Sequence, residues 1–444
     1  MSEFADKFSE KLAEKKEYIA QNLESGIEER IQELLKEDFS ERFYQEKISE
    51  KNGEFNVLAS DAGRNDLEFR NNTRLYVVQA TTVDRDGEKS RKMDTGTLKP
   101  YSREDYESFL QRASEIVELE SILEKLDPET VEKTYVLIDG TLLTRLLVDP
   151  EELNISEQRD KRMDLVEKFQ ELLEIAEENE NVILAGVSKD SNSSVLYRTL
   201  LKDIIEEKIS DLNASGLDDT KDFLEDNFEK INYSPEEVRT SIENLREGGV
   251  DVSEVEELLE RYRSAISDTE MVRQLASGTG FTQPLRATGI KSNFYRSLDS
   301  FDEDSEKFFD RNFPQALMEN DRKEFMRKNY RLLEDLKSSP SVVSFYWLPN
   351  EQDLPLRIDL LDFGTRLKDA RDIEFVEPDA RVQDILELLA TGYAGEGMHN
   401  VWISQADNSA SLKNSQVENV YKPLLANQLG ENLRKYMRRR DKRV

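Results

Sequence analysis

Two apolar runs in this chain stop at an aspartate with a glycine close behind it. One is FNVLASDAG, residues 55–63, stopped by Asp61; the other is YVLIDGTLLTRLL, 135–147, stopped by Asp139-Gly140. Runs of this length and composition read as buried β-strands. A carboxylate at the end of a buried strand costs free energy unless it is paired or bound to a cation. A glycine beside it lets the backbone turn tightly and leaves room for a ligand. If the two strands are neighbours, their aspartates come within about 6 Å of each other and can share one or two divalent ions. The simpler reading of each site alone is a turn or a helix N-cap.

The surrounding pattern is mixed. Residues 3–37 carry apolar positions at helical spacing without proline and read as one or two amphipathic helices. From 55 the period changes, giving a strand at 55–61, a second strand and turn at 67–72, a third strand at 73–83 and a loop at 84–90. Helical period returns over 103–126, where Ser102 as N-cap and Asp105 three residues on approach a capping box. A strand at 134–139, a helix at 157–179 and a strand at 181–188 follow, and the alternation implies a mixed sheet flanked by helices. Residues 195–266 are acidic and helical, and read as an inserted helical subdomain. Strands resume as a hairpin at 341–349 and 354–363, followed by a helix at 380–391 and a glycine-rich loop at 391–400. The expected division is an N-terminal helical segment (1–50), a sheet domain in two pieces (51–194 and 267–415), the insertion (195–266), and a C-terminal helix with a basic tail (416–444).

Composition narrows the chemistry. The 444 residues contain no cysteine, which excludes disulfides, zinc–thiolate sites and thiol nucleophiles. The single histidine, His399, leaves at most one imidazole per chain. With 94 acidic against 62 basic residues the formal charge is −32, so the chain repels nucleic acid and anionic membranes at long range. A high-salt cytoplasm would screen that repulsion, although the lysine content fits such a setting less well. No run of 18 apolar residues occurs and the N-terminus reads as no signal peptide, so the expectation is a cytoplasmic protein with no membrane partner. The end of the chain, RKYMRRRDKRV, reverses the trend with seven Lys or Arg in eleven residues. It can bind DNA phosphates or an acidic partner surface, or simply form a charged tail.

The segments VLASDAGRNDLEFRNNTRLYVVQATTV, YVLIDGTLLTRLL and VILAGVSKDSNSS together resemble the NurA nucleases. In that family two Asp-Gly-Ser elements are expected, matched here by Asp61-Ala62-Gly63 and Asp139-Gly140-Thr141, and a Gly-Val-x-Lys element, matched by Gly186-Val187-Ser188-Lys189. Residues 266–285 and 356–361 resemble downstream segments, so the likeness covers roughly 50–195 and 265–415. It implies an α/β, RNase H-like fold and Mn²⁺- or Mg²⁺-dependent hydrolysis of DNA ends, with 5′-to-3′ polarity. It also implies a HerA-type hexameric ATPase as partner and a homodimer. The family places a metal-binding glutamate on the helix before the second aspartate. Glu115, Glu118, Glu120 and Glu124 are available there, with Glu120 fitting the spacing best and Glu118 nearly as well. A tyrosine followed eight residues later by a histidine completes the family's site. The nearest match is His399 and Asp407, with Tyr393 as an alternative tyrosine.

The resemblance thus implies a metal set of Asp61, Glu120, Asp139 and Asp407, with His399 beside it. Lys189, at a strand end followed by Ser191, Ser193 and Ser194, can hold the scissile phosphate as a point charge or be a plain surface lysine. The competing reading of Asp407 is an N-cap for a helix at 408–413. Two other functions fit the same residues: a non-catalytic adaptor that docks to a motor ATPase, and an RNase H-like nuclease acting on RNA, hybrids or branched DNA.

Overall fold

The computed structural model describes residues 3–23, 27–189, 191–290, 292–395 and 398–430. The basic cluster at 434–444 and part of the glycine-rich loop, 396–397, lie outside these. The chain divides into two compact units, one formed by 1–45 with 191–279, the other by 46–190 with 280–444.

The first unit is helical apart from the short strand β1 (Phe43–Gln45). Helix Glu29–Glu41 buries Ile31, Leu35 and Phe39, one stripe at helical spacing, and packs on helices Val195–Ser210 and Asp268–Leu275. Asp268 is fully buried and accepts from the Ser193 hydroxyl and the Tyr197 amide, which fixes the start of the Val195–Ser210 helix. The N-terminal segment and the insertion therefore form one unit rather than two separate segments.

The second unit is built on a mixed sheet. Its strands are β2 (Asn56–Glu68), β3 (Arg74–Asp84), β4 (Lys89–Leu98), β5 (Thr134–Asp139), β6 (Val182–Ser188), β7 (Gly280–Thr282), β8 (Leu285–Arg286), β9 (Pro340–Leu348), β10 (Leu356–Arg366) and β11 (Glu374–Phe375). Within this unit the order is β7-β9-β10-β6-β5-β2-β3-β4, with β8 beside β9 and β11 beside β8. Strands β2, β3 and β4 form an antiparallel meander, while β2, β5 and β6 run parallel. This is the mixed, helix-flanked α/β sheet expected from the sequence.

Two strand assignments differ from expectation. The run beginning at 55 does not stop at Asp61: β2 continues to Glu68, paired with β3 from Leu58↔Asp84 to Glu68↔Arg74. What stops at residue 60 is the pairing with β5, whose last partners are Ser60↔Ile138. The segment read as a loop at 84–90 is a turn leading into β4, whose residues KSRKMDTGTL alternate between exposed and half-buried at the sheet edge. Polar edge strands resist pairing with other chains, and that polarity hid the strand from a hydrophobicity reading.

Helix Arg103–Lys125 carries the chain from β4 across to β5. Ser102 caps it, accepting from the Asp105 amide at 3.0 Å. Tyr106, Phe109, Leu110, Ala113 and Val117 pack on Tyr76, Val78 and Ala80 of β3. The helix also packs on helix Lys161–Glu178, so polar residues such as Glu115 and Glu118 are buried as well. Leu75 and Val77 of β3 join a separate cluster with Leu412 and Val417, so β3 is apolar on both faces. Among the described residues no helix is long and apolar enough to cross a membrane.

Helix Val401–Ala410 lies against β2 and β3. Gly63 makes this approach possible: a Cβ there would stand 2.1 Å from the Ala410 carbonyl oxygen and 2.9 Å from the Leu412 nitrogen. Gly63 is thus a packing residue, whereas Gly140, at φ +107°, is the one that turns the chain after its aspartate. Gly63→Ala has only backbone to push against, so it should cost about 1–3 kcal/mol, in the range of overpacked cores. Urea unfolding of the purified variant checks this, and an unchanged midpoint would contradict the close approach.

Candidate functional site

The site grows out of the point where β2 and β5 separate. Carrying the parallel register one residue past Ser60↔Ile138 sets Asp61 beside Asp139. Adjacent strands lie about 4.8 Å apart, and residues in parallel register point to the same face. Asp139 pairs in turn with Val187 of β6, and Lys189 lies two residues beyond on the same face. The Lys189 ammonium stands 3.5 Å from one oxygen of Asp139 and 3.5 Å from one of Asp407.

Burial sets the charges here. It pushes the Asp61 carboxyl up to about 7, with Asp139 and Asp407 adding to the rise while Lys189 opposes it. Asp139 is also raised by burial, against the pull of Lys189 and His399. Burial disfavours the Lys189 ammonium, but Asp139 and Asp407 outweigh it and raise that group. Glu118, 2% exposed in its side chain, is raised by burial and by the charges of Asp61 and Asp139. Its counter-charge is Arg145 of the short helix Leu142–Leu146, whose Nη2 donates to Glu118 Oε2 at 2.7 Å. The other oxygen, Glu118 Oε1, is buried and has no hydrogen-bond partner.

The turn after Asp139 is held from the opposite side. Asp359 of β10, 1% exposed, accepts from the Thr141 hydroxyl and the Leu143 amide. Its second oxygen accepts from Ser344 Oγ at 2.7 Å and Arg357 Nε at 2.9 Å. Asp359 is engaged through both oxygens and serves as scaffold. Gly186 is needed where this turn crosses β6, since a Cβ there would lie 2.7 Å from the Gly140 carbonyl oxygen.

The structure brings Asp61, Asp139, Lys189 and Asp407 together, and places His399 within electrostatic reach of Asp139. It does not bring Glu120. That side chain is half-buried and its charge acts on Lys168 of helix Lys161–Glu178. Residues two apart on a helix point about 200° away from each other, so placing Glu118 toward the aspartates turns Glu120 away. Glu115 pairs with Arg112 at 2.6 Å, and Glu124 pairs with Lys92 at 2.9 Å. Tyr393 donates to Asp353 at 2.5 Å, in the turn between β9 and β10. Asp407 sits inside helix Val401–Ala410, which rules out the N-cap reading. Arg145 and Asp359 were not singled out from the sequence. Arg145 lies in the apolar stretch LLTRLL, and an arginine there is itself a sign of a buried partner. As they stand, no three acidic or histidine side chains among the described residues converge closely enough to hold an ion. Lys189 and Arg145 supply the positive charge that faces these carboxylates.

The NurA domain model matches residues 55–412, from the first strand of the sheet to the end of the segment packed against Gly63. The chain belongs to the NurA family. No protein of curated function matches it by sequence. The NurA nuclease from Sulfolobus solfataricus has a similar fold, aligning over 97% of this chain and 98% of its own at a TM-score of 0.51 and 14% identity. A NurA crystal structure with manganese aligns over 95% of this chain and 98% of its own, at a TM-score of 0.35 and 15% identity. Another NurA, bound to dAMP and manganese, aligns over 97% and 98%, at 0.37 and 14%. The matched range holds every residue of this NurA site.

Replacing Asp61 by Asn tests the electrostatics. A carboxyl whose folded pKa is near 7 and whose unfolded value is 3.8 favours folding below pH 4. It loses that contribution as pH rises through 7. Asp61→Asn should therefore raise metal-free stability, with a gain that grows from pH 5 to pH 8. Urea midpoints across that range measure it, and a gain independent of pH would remove the electrostatic account.

Proposed function

We propose that this chain is a divalent-metal-dependent deoxyribonuclease that hydrolyses phosphodiester bonds at DNA ends, digesting 5′ to 3′ and also cutting single strands. It acts as a homodimer with a HerA-type hexameric ATPase, in end resection and double-strand-break repair. The observation that carries this reading is the cluster of carboxylates: Asp61 and Asp139, half-buried and side by side where two strands part, with the buried Glu118 behind them. The strand order β4-β3-β2-β5-β6, antiparallel and then parallel, supports the RNase H-like expectation.

The chemistry of the donors suits a hard cation, although as they stand the described side chains do not converge on one point. Glu118 Oε1 is a buried acceptor with no partner, and leaving such a group unengaged costs about 1–3 kcal/mol. Asp61, Glu118, Asp139 and Asp407 supply oxygen only, the chemistry preferred by Mg²⁺ and Mn²⁺ over softer ions. Divalent ions, when bound, would neutralise negative charge on the phosphate oxygens and so make the phosphorus more open to attack. Asp61, Asp139 and Glu118 would hold them, with Asp407 completing the set. Lys189, freed from Asp139 and Asp407, holds a non-bridging phosphate oxygen and orients the scissile bond. His399, whose charge acts on Asp139, would be the group to pass a proton at the edge of the site. The −32 charge opposes unaided DNA binding, which favours a partner that supplies a positive channel.

Linear duplex, single-stranded DNA and an RNA–DNA hybrid, incubated with and without Mn²⁺, separate a deoxyribonuclease from an enzyme of other specificity. Asp139→Asn should reduce cleavage to background while the fold survives. Asp407→Ala should weaken both cleavage and Mn²⁺-induced thermal stabilisation, and Asp407→His should restore part of each. Absence of any Mn²⁺-dependent cleavage by the wild-type chain, alone and with its ATPase, would favour the adaptor reading.

A further inference from the structure

We propose that Arg145 is a positioning residue that sets the metal affinity of the site through Glu118. This rests on the nuclease reading above. The Arg145 guanidinium is 6% exposed and Glu118 is 2% exposed, so both are shut off from solvent. Arg145 Nη2 donates to Glu118 Oε2 at 2.7 Å, and the same nitrogen lies 3.5 Å from the main-chain oxygen of Asp139. One side chain thus ties the helix that carries Glu118 to the strand end that carries Asp139. The engaged oxygen fixes the carboxylate, and the unengaged one, Oε1, is left as an acceptor without a partner.

The position of Arg145 in the chain strengthens the link. It lies six residues after Asp139, on a helix that opens at Thr141, where Asp359 grips the hydroxyl. The turn is therefore clamped by Asp359 on one side and by Arg145 on the other. Glu115, which pairs with Arg112 at 2.6 Å, adds its charge in favour of the guanidinium without bonding it, and Arg145 Nη1 is buried with no hydrogen-bond partner. A lone buried ion pair adds little net stability against an apolar replacement. Its placement here has a second consequence: outer groups that orient metal ligands typically change metal affinity by about 10–100-fold when removed.

The test is a double-mutant cycle read on Mn²⁺ affinity, measured by electron paramagnetic resonance on the full chain, with metal-free melting recorded beside it. Arg145→Gln should weaken Mn²⁺ binding by about tenfold or more, and Arg145→Lys, which keeps charge but loses the planar fork, should recover part of it. Glu118→Gln should weaken binding likewise, and Arg145→Gln added to Glu118→Gln should weaken it no further. That non-additivity supports the proposal, because a purely structural arginine would lower melting in both backgrounds and leave affinity alone. If Arg145→Gln does not fold, the Arg145→Lys and Glu118→Gln pair completes the same cycle. Equal Mn²⁺ affinity in wild type and Arg145→Lys or Arg145→Gln overturns the proposal and leaves the nuclease reading standing. Failure of the wild type to bind Mn²⁺ at all overturns both.

Discussion

The separation of β2 from β5 is the constraint on which this structure turns. Both backbones continue past Ser60↔Ile138, but their ladder does not, and the next residue on each is an aspartate. Two unit charges about 5 Å apart repel by about 3 kcal/mol at an effective dielectric of 20, several times the value of an exposed ion pair. Burial adds to this, and the result is visible in the raised carboxyls of Asp61, Asp139 and Glu118. Lys189 answers from the strand next to β5 and Arg145 from the turn after it. Those two cations face four carboxyl groups whose ionisation burial resists, and a divalent cation would favour their ionised forms.

Such a site demands a rigid frame, because carboxylates free to move would swing apart. Three close approaches supply the frame. Gly63 lets helix Val401–Ala410 press on β2 and so brings Asp407 over the aspartates. Gly186 lets the Gly140 turn cross β6, and Asp359 locks that turn with both carboxylate oxygens. Each glycine here is a statement about packing distance, and only Gly140 is one about backbone angle.

Much of this was legible in the sequence, and the misses have physical causes. The strands with apolar run-ups, β3, β5, β6, β9 and β10, and the capped helix Arg103–Lys125 follow from period and end signals. The edge strand β4 did not, because its outer positions face water and its residues are polar. Asp61 and Asp139 stood out because a carboxylate abutting an apolar run needs an explanation. That β2 continues beyond Asp61 was hidden, since continuation depends on a partner strand far away in the chain. Glutamate spacing on a helix fixes which residues share a face but not where that face points, so Glu118 and Glu120 could be separated only once helix and sheet were docked. Arg145 carried a signal in its apolar neighbours, and its partner could not be named without the fold.

The acidity of the chain and the acidity of the site are separate problems. Surface charges are screened within roughly 8 Å at physiological ionic strength and within roughly 3 Å at 1 M salt, so most of the −32 charge can be tolerated by raising the salt. The carboxylates of the site gain less from that, because diffuse salt screens a charge shut off from solvent, such as Glu118, only weakly. They are answered by fixed cations, and one of these, Lys189, is more than a third exposed while the other, Arg145, is shut in. The exposed one can leave its carboxylates when a stronger cation arrives, whereas the buried one has nowhere else to place its charge. The same structure therefore carries one counter-charge that can be exchanged and one that is permanent, and the division of roles between Lys189 and Arg145 follows from that difference in burial.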